Sequence, residues 1–181
     1  RDIWSDDPTD SLASTAAYLS RSGWQRGATW GAEVQLPSNF NMGLIGKSTR
    51  RSAGDWGAQG VRTMGGGALP GGTGSIIMPA GARGPAFFIT DNFRAILRYN
   101  NSDNYALGVA YLGERIAGRS GIQGAWPRND RALSTGEREE IQRRLAQRGL
   151  YQGEIDGLFG SATMESVQAF QRSIGVAPDG Y

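Results

Sequence analysis

The sequence has 181 residues, with 19 basic and 17 acidic side chains and neither cysteine nor histidine. Disulfides, thiol nucleophiles, Ser-His-Asp relays and Cys/His zinc sites are therefore excluded. Acid–base chemistry is left to Asp, Glu, Tyr or Lys, and any metal to oxygen ligands. Hydrophobic residues at 39% and charged residues at 20% describe a folded, water-compatible chain, and no apolar run is long enough for a membrane span.

The basic excess sits in the middle. Residues 61–131 carry 8 bases and 4 acids, whereas residues 132–181 carry 5 and 7. That density is too low for a polyanion stripe, so no nucleic-acid partner is expected; a mildly basic cleft for a carboxylate-bearing ligand is allowed. Arg1-Asp2-Ile3-Trp4 does not read as a natural start, no signal peptide opens the chain, and the chain is expected to begin inside a domain.

Asp7 as N-cap, Pro8 at the first helical position and Asp10 in the first turn predict an opening helix, with Leu12, Ala16 and Leu19 on one face and Gly23 as its stop. Glu33 to Pro37 reads as extended. The segment from Gly60 to Gly84 holds nine glycines in 25 residues and encloses Ser75–Pro79, with Pro85–Thr90 following. Short apolar runs bounded by Gly and Pro predict the strands of a small sheet inserted among helices.

Asp91 is expected to cap a helix burying Phe93, Ile96 and Leu97, broken around Asn100-Asn101-Ser102. Ser102 caps the next, in which Tyr105, Val109, Leu112 and Ile116 recur at helical spacing before Gly118. Residues 119–132 lack periodicity and read as a linker. Ser134 with Glu137 forms a capping box that opens a helix with Ile141, Leu145 and a Gly149 stop. After a turn-rich stretch, Ser161 is expected to cap a last helix carrying Met164, Val167, Phe170 and Gln171.

The tail motif Leu150-Tyr151-x-Gly153-x-Ile155-Asp156-Gly157-x-Phe159-Gly160-x-x-Thr163, with Val167-x-x-Phe170-Gln171 and Gly175-Val176-x-x-Asp179-Gly180, resembles the small three-helix peptidoglycan-binding domain. The resemblance covers residues 133–181 and implies binding to the glycan strands or stem peptides of the bacterial wall. The family's third helix would begin just past Tyr181, so the unit is expected to be C-terminally clipped. Residue by residue, Asp156, Gly157 and Phe159 suit turn-building better than direct ligand contact.

Residues 1–118 resemble the catalytic domain of the membrane-bound lytic murein transglycosylase B family. The match is carried by Asp2-Ile3-Trp4, Asp7-Pro8-x-Asp10-Ser11, Tyr18-Leu19, Gly23-Trp24, Glu33-Val34-x-Leu36-Pro37, Gly60-Val61-Arg62, Gly84-Pro85-Ala86-Phe87, Asn92-Phe93 and Tyr99-Asn100-x-Ser102-x-x-Tyr105-Ala106. The implied fold is mainly α (α+β): part of a lysozyme-like domain with a small antiparallel β insertion, then the helical wall-binding unit. The implied reaction cleaves the β-1,4 bond between N-acetylmuramic acid and N-acetylglucosamine, with the C6 hydroxyl as nucleophile and a 1,6-anhydro product. One glutamate serves as acid and then base.

In the family that glutamate lies upstream of the Asp-Ile-Trp motif. Glu33, Glu114, Glu137, Glu139, Glu140, Glu154 and Glu165 do not stand in its context, so this chain alone is expected to be inactive. The missing half is expected to be a separate polypeptide or to have been lost. By resemblance Tyr99, Asn100 and Tyr105 line the sugar cleft. Spacing alone puts Tyr105 at the head of a core stripe and makes Asn100 a capping residue. No cofactor is required. Some family members hold an EF-hand-like calcium loop whose late carboxylate matches Asp10, although Asp7 and Asp10 also serve simply as helix-start residues. None of the five tryptophans is assigned to sugar, and Arg62 and Arg83 fit a solvated surface. The implied location is the periplasm or outer membrane of a Gram-negative bacterium. The alternative is a non-catalytic peptidoglycan-binding protein.

Overall fold

The computed structural model describes Trp4 and residues 6–181; Asp2 and Ile3 of the opening motif lie outside the described residues. Helix α1 runs Thr9–Arg21. The N-cap is Pro8 rather than Asp7, but the Asp7 carboxylate one residue earlier accepts from the Thr9 amide at 3.0 Å and from the Thr9 hydroxyl. The expected inward face did not follow. α1 has no buried residue, and Leu12 is 65% exposed. Only Leu19 reaches the core, and the Tyr18 hydroxyl donates to the Arg98 carbonyl at 3.0 Å.

A five-stranded antiparallel sheet follows: β1 (Gly31–Gln35), β2 (Arg51–Ser52), β3 (Arg62–Thr63), β4 (Thr73–Ile77) and β5 (Ala86–Ile89), in the order β2-β4-β5-β1-β3. The sheet is wider than the glycine-rich segment, because β1 enters from before it and pairs with β5 in the register Glu33–Phe87. The short helix α2 (Ala53–Ala58), opened by a Ser52–Asp55 capping box, was not legible as a helix and seats the buried Trp56. β5 is buried along its length, so its two faces feed two cores. Phe87 and Ile89 join Trp30, Phe93 and Leu107 on one side, while Phe88 joins Ile76, Val61 and Trp56 on the other.

Helix α3 (Asp91–Leu97) is capped at Thr90 rather than Asp91. Asp91 falls in the first turn and pairs with Arg50 at 2.7 Å. Ser102 caps α4 (Asp103–Ile116) as expected, its hydroxyl accepting from the Tyr105 amide. The buried face of α4 is Ala106, Leu107 and Ala110. The stripe Tyr105, Val109, Leu112 and Ile116 is exposed, from 37% at Val109 to 79% at Ile116. The helix is apolar on two faces, and its small residues are the ones that pack against α3 and the sheet.

No helix or strand forms between α4 and α5 (Thr135–Gln147), but the connecting segment is fastened down. The Glu33 carboxylate accepts from the Gln123 amide at 2.7 Å and the Gly124 amide at 2.6 Å. Trp126 lies 6.2 Å from Phe87, and Arg83 pairs with Asp130 at 2.6 Å. The Ser134–Glu137 capping box opens α5 as expected. In α6 (Ser161–Ser173) the cap is Gly160, and Thr163, Ser166 and Gln168 are buried while Met164, Val167 and Phe170 are half-buried. Gln142 is fully buried and organises the turn between these helices: its carbonyl accepts from the Asp156 and Gly157 amides and its amide donates to Asp156. Asp156 in turn accepts from the Leu158 amide, which supports its turn-building reading.

Candidate functional site

Tyr99 and Asn100 lie where α3 ends, and Tyr105 lies in the first turn of α4. The break between the helices turns the chain so that the Tyr99 and Tyr105 rings stack, 5.9 Å apart at 29°. Tyr18 of α1 meets Tyr99 edge-on at 5.6 Å. The three phenols form one surface ladder, with Tyr99 66% exposed and Asn100 exposed beside it. Sequence spacing offered Tyr105 to the core. The structure instead leaves it 39% exposed, because Ala106 and Leu107 take the inward positions. Tyr18 was missed as a member, since its contact with Tyr99 spans 81 positions and leaves no local signature.

An open corner of aromatic faces beside a carboxamide suits a sugar. Ring faces pack against the apolar C–H faces of pyranoses, and the amide can pair with hydroxyl or N-acetyl groups. Behind the corner, Lys47 meets Asp103 at 2.8 Å, with both side chains more than four-fifths covered, which pins the start of α4 to the loop before β2.

Five of the seven glutamates are engaged elsewhere, while Glu165 lies with Lys47 and Asp103 around a neighbouring pocket. Glu33 holds the linker amides, Glu114 accepts from the Trp30 indole at 3.1 Å and from Arg119, and Glu137, Glu139 and Glu140 pair with arginines. Between Glu33 and Glu114, Tyr111 is half-buried; burial and the two neighbouring carboxylates push its phenol above the ordinary tyrosine range. It therefore stays neutral at physiological pH. Arg62 folds onto the Gly57 and Val61 carbonyls, and Arg83 holds Asp130, so both have structural partners.

Asp10 sits in the first turn of α1. Calcium needs six or more oxygen ligands, and among the described residues no group of three or more acidic side chains gathers to hold a metal. The described residues around Asp10 do not by themselves fit a calcium ion.

The family model of the transglycosylase SLT domain matches residues 1–114. This chain belongs to the SLT transglycosylase family. Residues 134–181 of this SLT protein match the peptidoglycan binding domain. Its chain is similar to SltB3 from Pseudomonas aeruginosa, solved in complexes with NAG-anhNAM-pentapeptide and with NAG-NAM-pentapeptide. The identity is 47% and the TM-score 0.90, with 99% of this chain and 49% of that one covered. It is also similar to the soluble lytic transglycosylase SltB1 from the same organism, at 26% identity and TM-score 0.50 over 65% of this chain and 40% of that one. The SLT chain thus spans about half the length of the SltB3 structures it matches. No match was found among curated proteins.

Proposed function

We propose that this chain is the glycan-gripping half of a peptidoglycan lytic transglycosylase, with residues 1–118 as part of the catalytic domain, 119–132 as a connecting segment and 133–181 as the wall-binding unit. The reaction is cleavage of the MurNAc–GlcNAc β-1,4 bond with formation of 1,6-anhydro-MurNAc. The observation that carries the reading is the open Tyr18–Tyr99–Tyr105 ladder beside Asn100, a face left uncovered where a sugar strand would lie. Tyr99 and Tyr105 orient pyranose rings, and Asn100 pairs with an N-acetyl group or the charge that develops at the anomeric carbon.

The general-acid glutamate is assigned to polypeptide outside this chain: Glu33, Glu114 and Glu137 already hold amides, an indole or arginines, and Glu154 and Glu165 do not stand in the family's sequence context. The outer faces of α1 and α4, with Leu12, Val109, Leu112 and Ile116 exposed, form the surface against which that polypeptide docks. The partners are peptidoglycan glycan strands and stem peptides, and the location is the periplasm or the outer membrane. Among the described residues no helix is long and apolar enough to cross a membrane.

The test is digestion of murein sacculi, followed by mass spectrometry for 1,6-anhydro ends. The isolated chain is expected to bind sacculi and release nothing, and release is expected once the polypeptide preceding it is added. Anhydro products from the chain alone would refute the assignment of the proton donor elsewhere. Binding with no release from the combined halves would favour a purely wall-binding protein.

A further inference from the structure

We propose that the junction between the catalytic part and the wall-binding unit is a binding site for the peptide branch of a muramyl glycan, built jointly by both. The inference rests on the glycan reading of the Tyr99 corner and extends it to the adjoining surface. A cleft of about 300 Å³ opens there, lined by Lys47, Asn101 and Asn104 from the catalytic part and by Phe159, Ser161 and Met164 from the wall-binding unit.

Neither part could make this cleft alone, and the two are held in fixed register. The Ala82 amide donates to Asp179 at 2.9 Å, the Gln168 amide reaches the Ile45 carbonyl, and Tyr181 packs over Gly81 so closely that a Cβ there would lie 2.5 Å from it. Clefts at the meeting of two domains are where ligand sites recur.

The lining chemistry selects the class of ligand. Two exposed carboxamides and a hydroxyl supply both donors and acceptors, as peptide units require. Phe159, Met164 and Pro79 supply an apolar floor for short alkyl side chains. Lys47 and Asp103 offer one charge of each sign, so the cleft has no net preference for a polyanion. A bare sugar would use the hydroxyl-pairing groups but not the apolar floor.

Position selects the connection. Asn101 to Asn104 continue directly from Tyr99 and Asn100, so the corner that presents rings to a glycan turns straight into the wall of the cleft. A strand lying on the tyrosines has its peptide branch on the same corner.

Calorimetric titration of the full 181-residue chain separates the contributions. Three ligands are needed: a muramyl disaccharide bearing a pentapeptide, the same disaccharide without peptide, and the free pentapeptide. The peptide-bearing ligand is expected to bind about tenfold tighter than the bare disaccharide, the scale of one or two net hydrogen bonds. Ser161→Trp, which fills the cleft from α6, and Asn104→Ala, which trims an exposed amide, are each expected to erase most of that advantage and leave bare-disaccharide affinity unchanged. Equal affinities for the two disaccharides in the unsubstituted chain, or an advantage that survives both substitutions, overturns the proposal. Tyr99→Ala reports on the other reading. If bare-disaccharide binding is absent or indifferent to it, the glycan face fails, while free-pentapeptide binding sensitive to Ser161→Trp still supports the cleft.

Discussion

Glu33 brings a carboxylate into a buried strand, 8% exposed, where an unpaired charge would be costly. It is satisfied by two consecutive amides of the connecting segment, Gln123 and Gly124, and Gly124 is required there because a Cβ would come within 2.7 Å of the Glu33 oxygen and 2.9 Å of Pro85. Two hydrogen bonds to a charged group are worth about 3 kcal/mol together. Glu33→Ala is therefore expected to release the segment, and trypsin should cut at Arg119 and Arg128 at least tenfold faster than in the unsubstituted chain. An unchanged cleavage rate would show that Trp126 and Arg83 hold the segment without it. Glu137 allows a second reading at this scale. Arg131, then the Ser134 amide and hydroxyl, hold its carboxyl down at about 2, below the ordinary glutamate value of 4.5. Its folded value is depressed, so the stability it confers is complete above about pH 4.5 and is lost as pH falls toward 2. Glu137→Gln is expected to flatten the part of the Tm-against-pH curve between those limits. The side chain is 40% exposed, so screening keeps the change small, and an identical acid limb in the variant would sink the assignment. The capping box was legible in the sequence as Ser134 and Glu137 three apart; Arg131 and the amides on Glu33 were not, because nothing in local spacing announces a partner across a loop or across 90 positions.

At the scale of elements, α4 explains why pattern reading found the helix and mistook its inner face. Tyr105, Val109, Leu112 and Ile116 repeat at helical spacing, but so do Ala106, Leu107 and Ala110, and periodicity alone favours the bulkier set. Packing chose the other, since the small residues let α4 approach α3 closely and close the core around Phe93 and Ile96. Leu107→Ala is thus expected to cost about 2–5 kcal/mol, the range for opening a cavity in a core, and Leu112→Ala within about 0.5 kcal/mol. Chemical denaturation of both variants checks this, and a large loss at Leu112 would mean that the outer stripe already has a partner in the isolated chain. The same inversion made the candidate site easier to recognise than periodicity allowed. Tyr99 and Asn100 were legible as a helix break flanked by phenols, whereas Tyr105 joined them only because the alanines went inward. In the sheet, the apolar runs forecast β4 and β5, but the two-residue strands β2 and β3 carry no pattern and exist only as pairings made by their neighbours.

At the scale of the whole molecule, the boundary between the two sequence families is not a boundary in cohesion. The connecting segment is bound to β1 and β5, and the wall-binding unit returns to the catalytic part through Asp179 on Ala82, Gln168 on Ile45 and Tyr181 over Gly81. Each neutral hydrogen bond contributes about 0.5–1.5 kcal/mol and each one to a carboxylate somewhat more, so the coupling amounts to several kcal/mol, enough for the halves to unfold together. Differential scanning calorimetry of the unsubstituted chain is expected to give one transition whose calorimetric and van't Hoff enthalpies agree. Glu33→Ala alone frees the segment but leaves the Asp179 and Gln168 contacts, and Asp179→Ala alone keeps the segment fastened and the Gln168 contact in place, so either single variant should keep one transition at a lower Tm. Combining them removes the carboxylate bonds at both attachments, and the endotherm should then split, with the smaller component belonging to α5 and α6. Two transitions already present in the unsubstituted chain would mean that the halves are independent bodies, and the shared cleft between them would lose its rigid walls. One transition in the double variant would place the coupling in the Gln168–Ile45 bond and the pocket walled by Ile45, Met78 and Met164 instead, a surface that reading residue by residue could not have assembled.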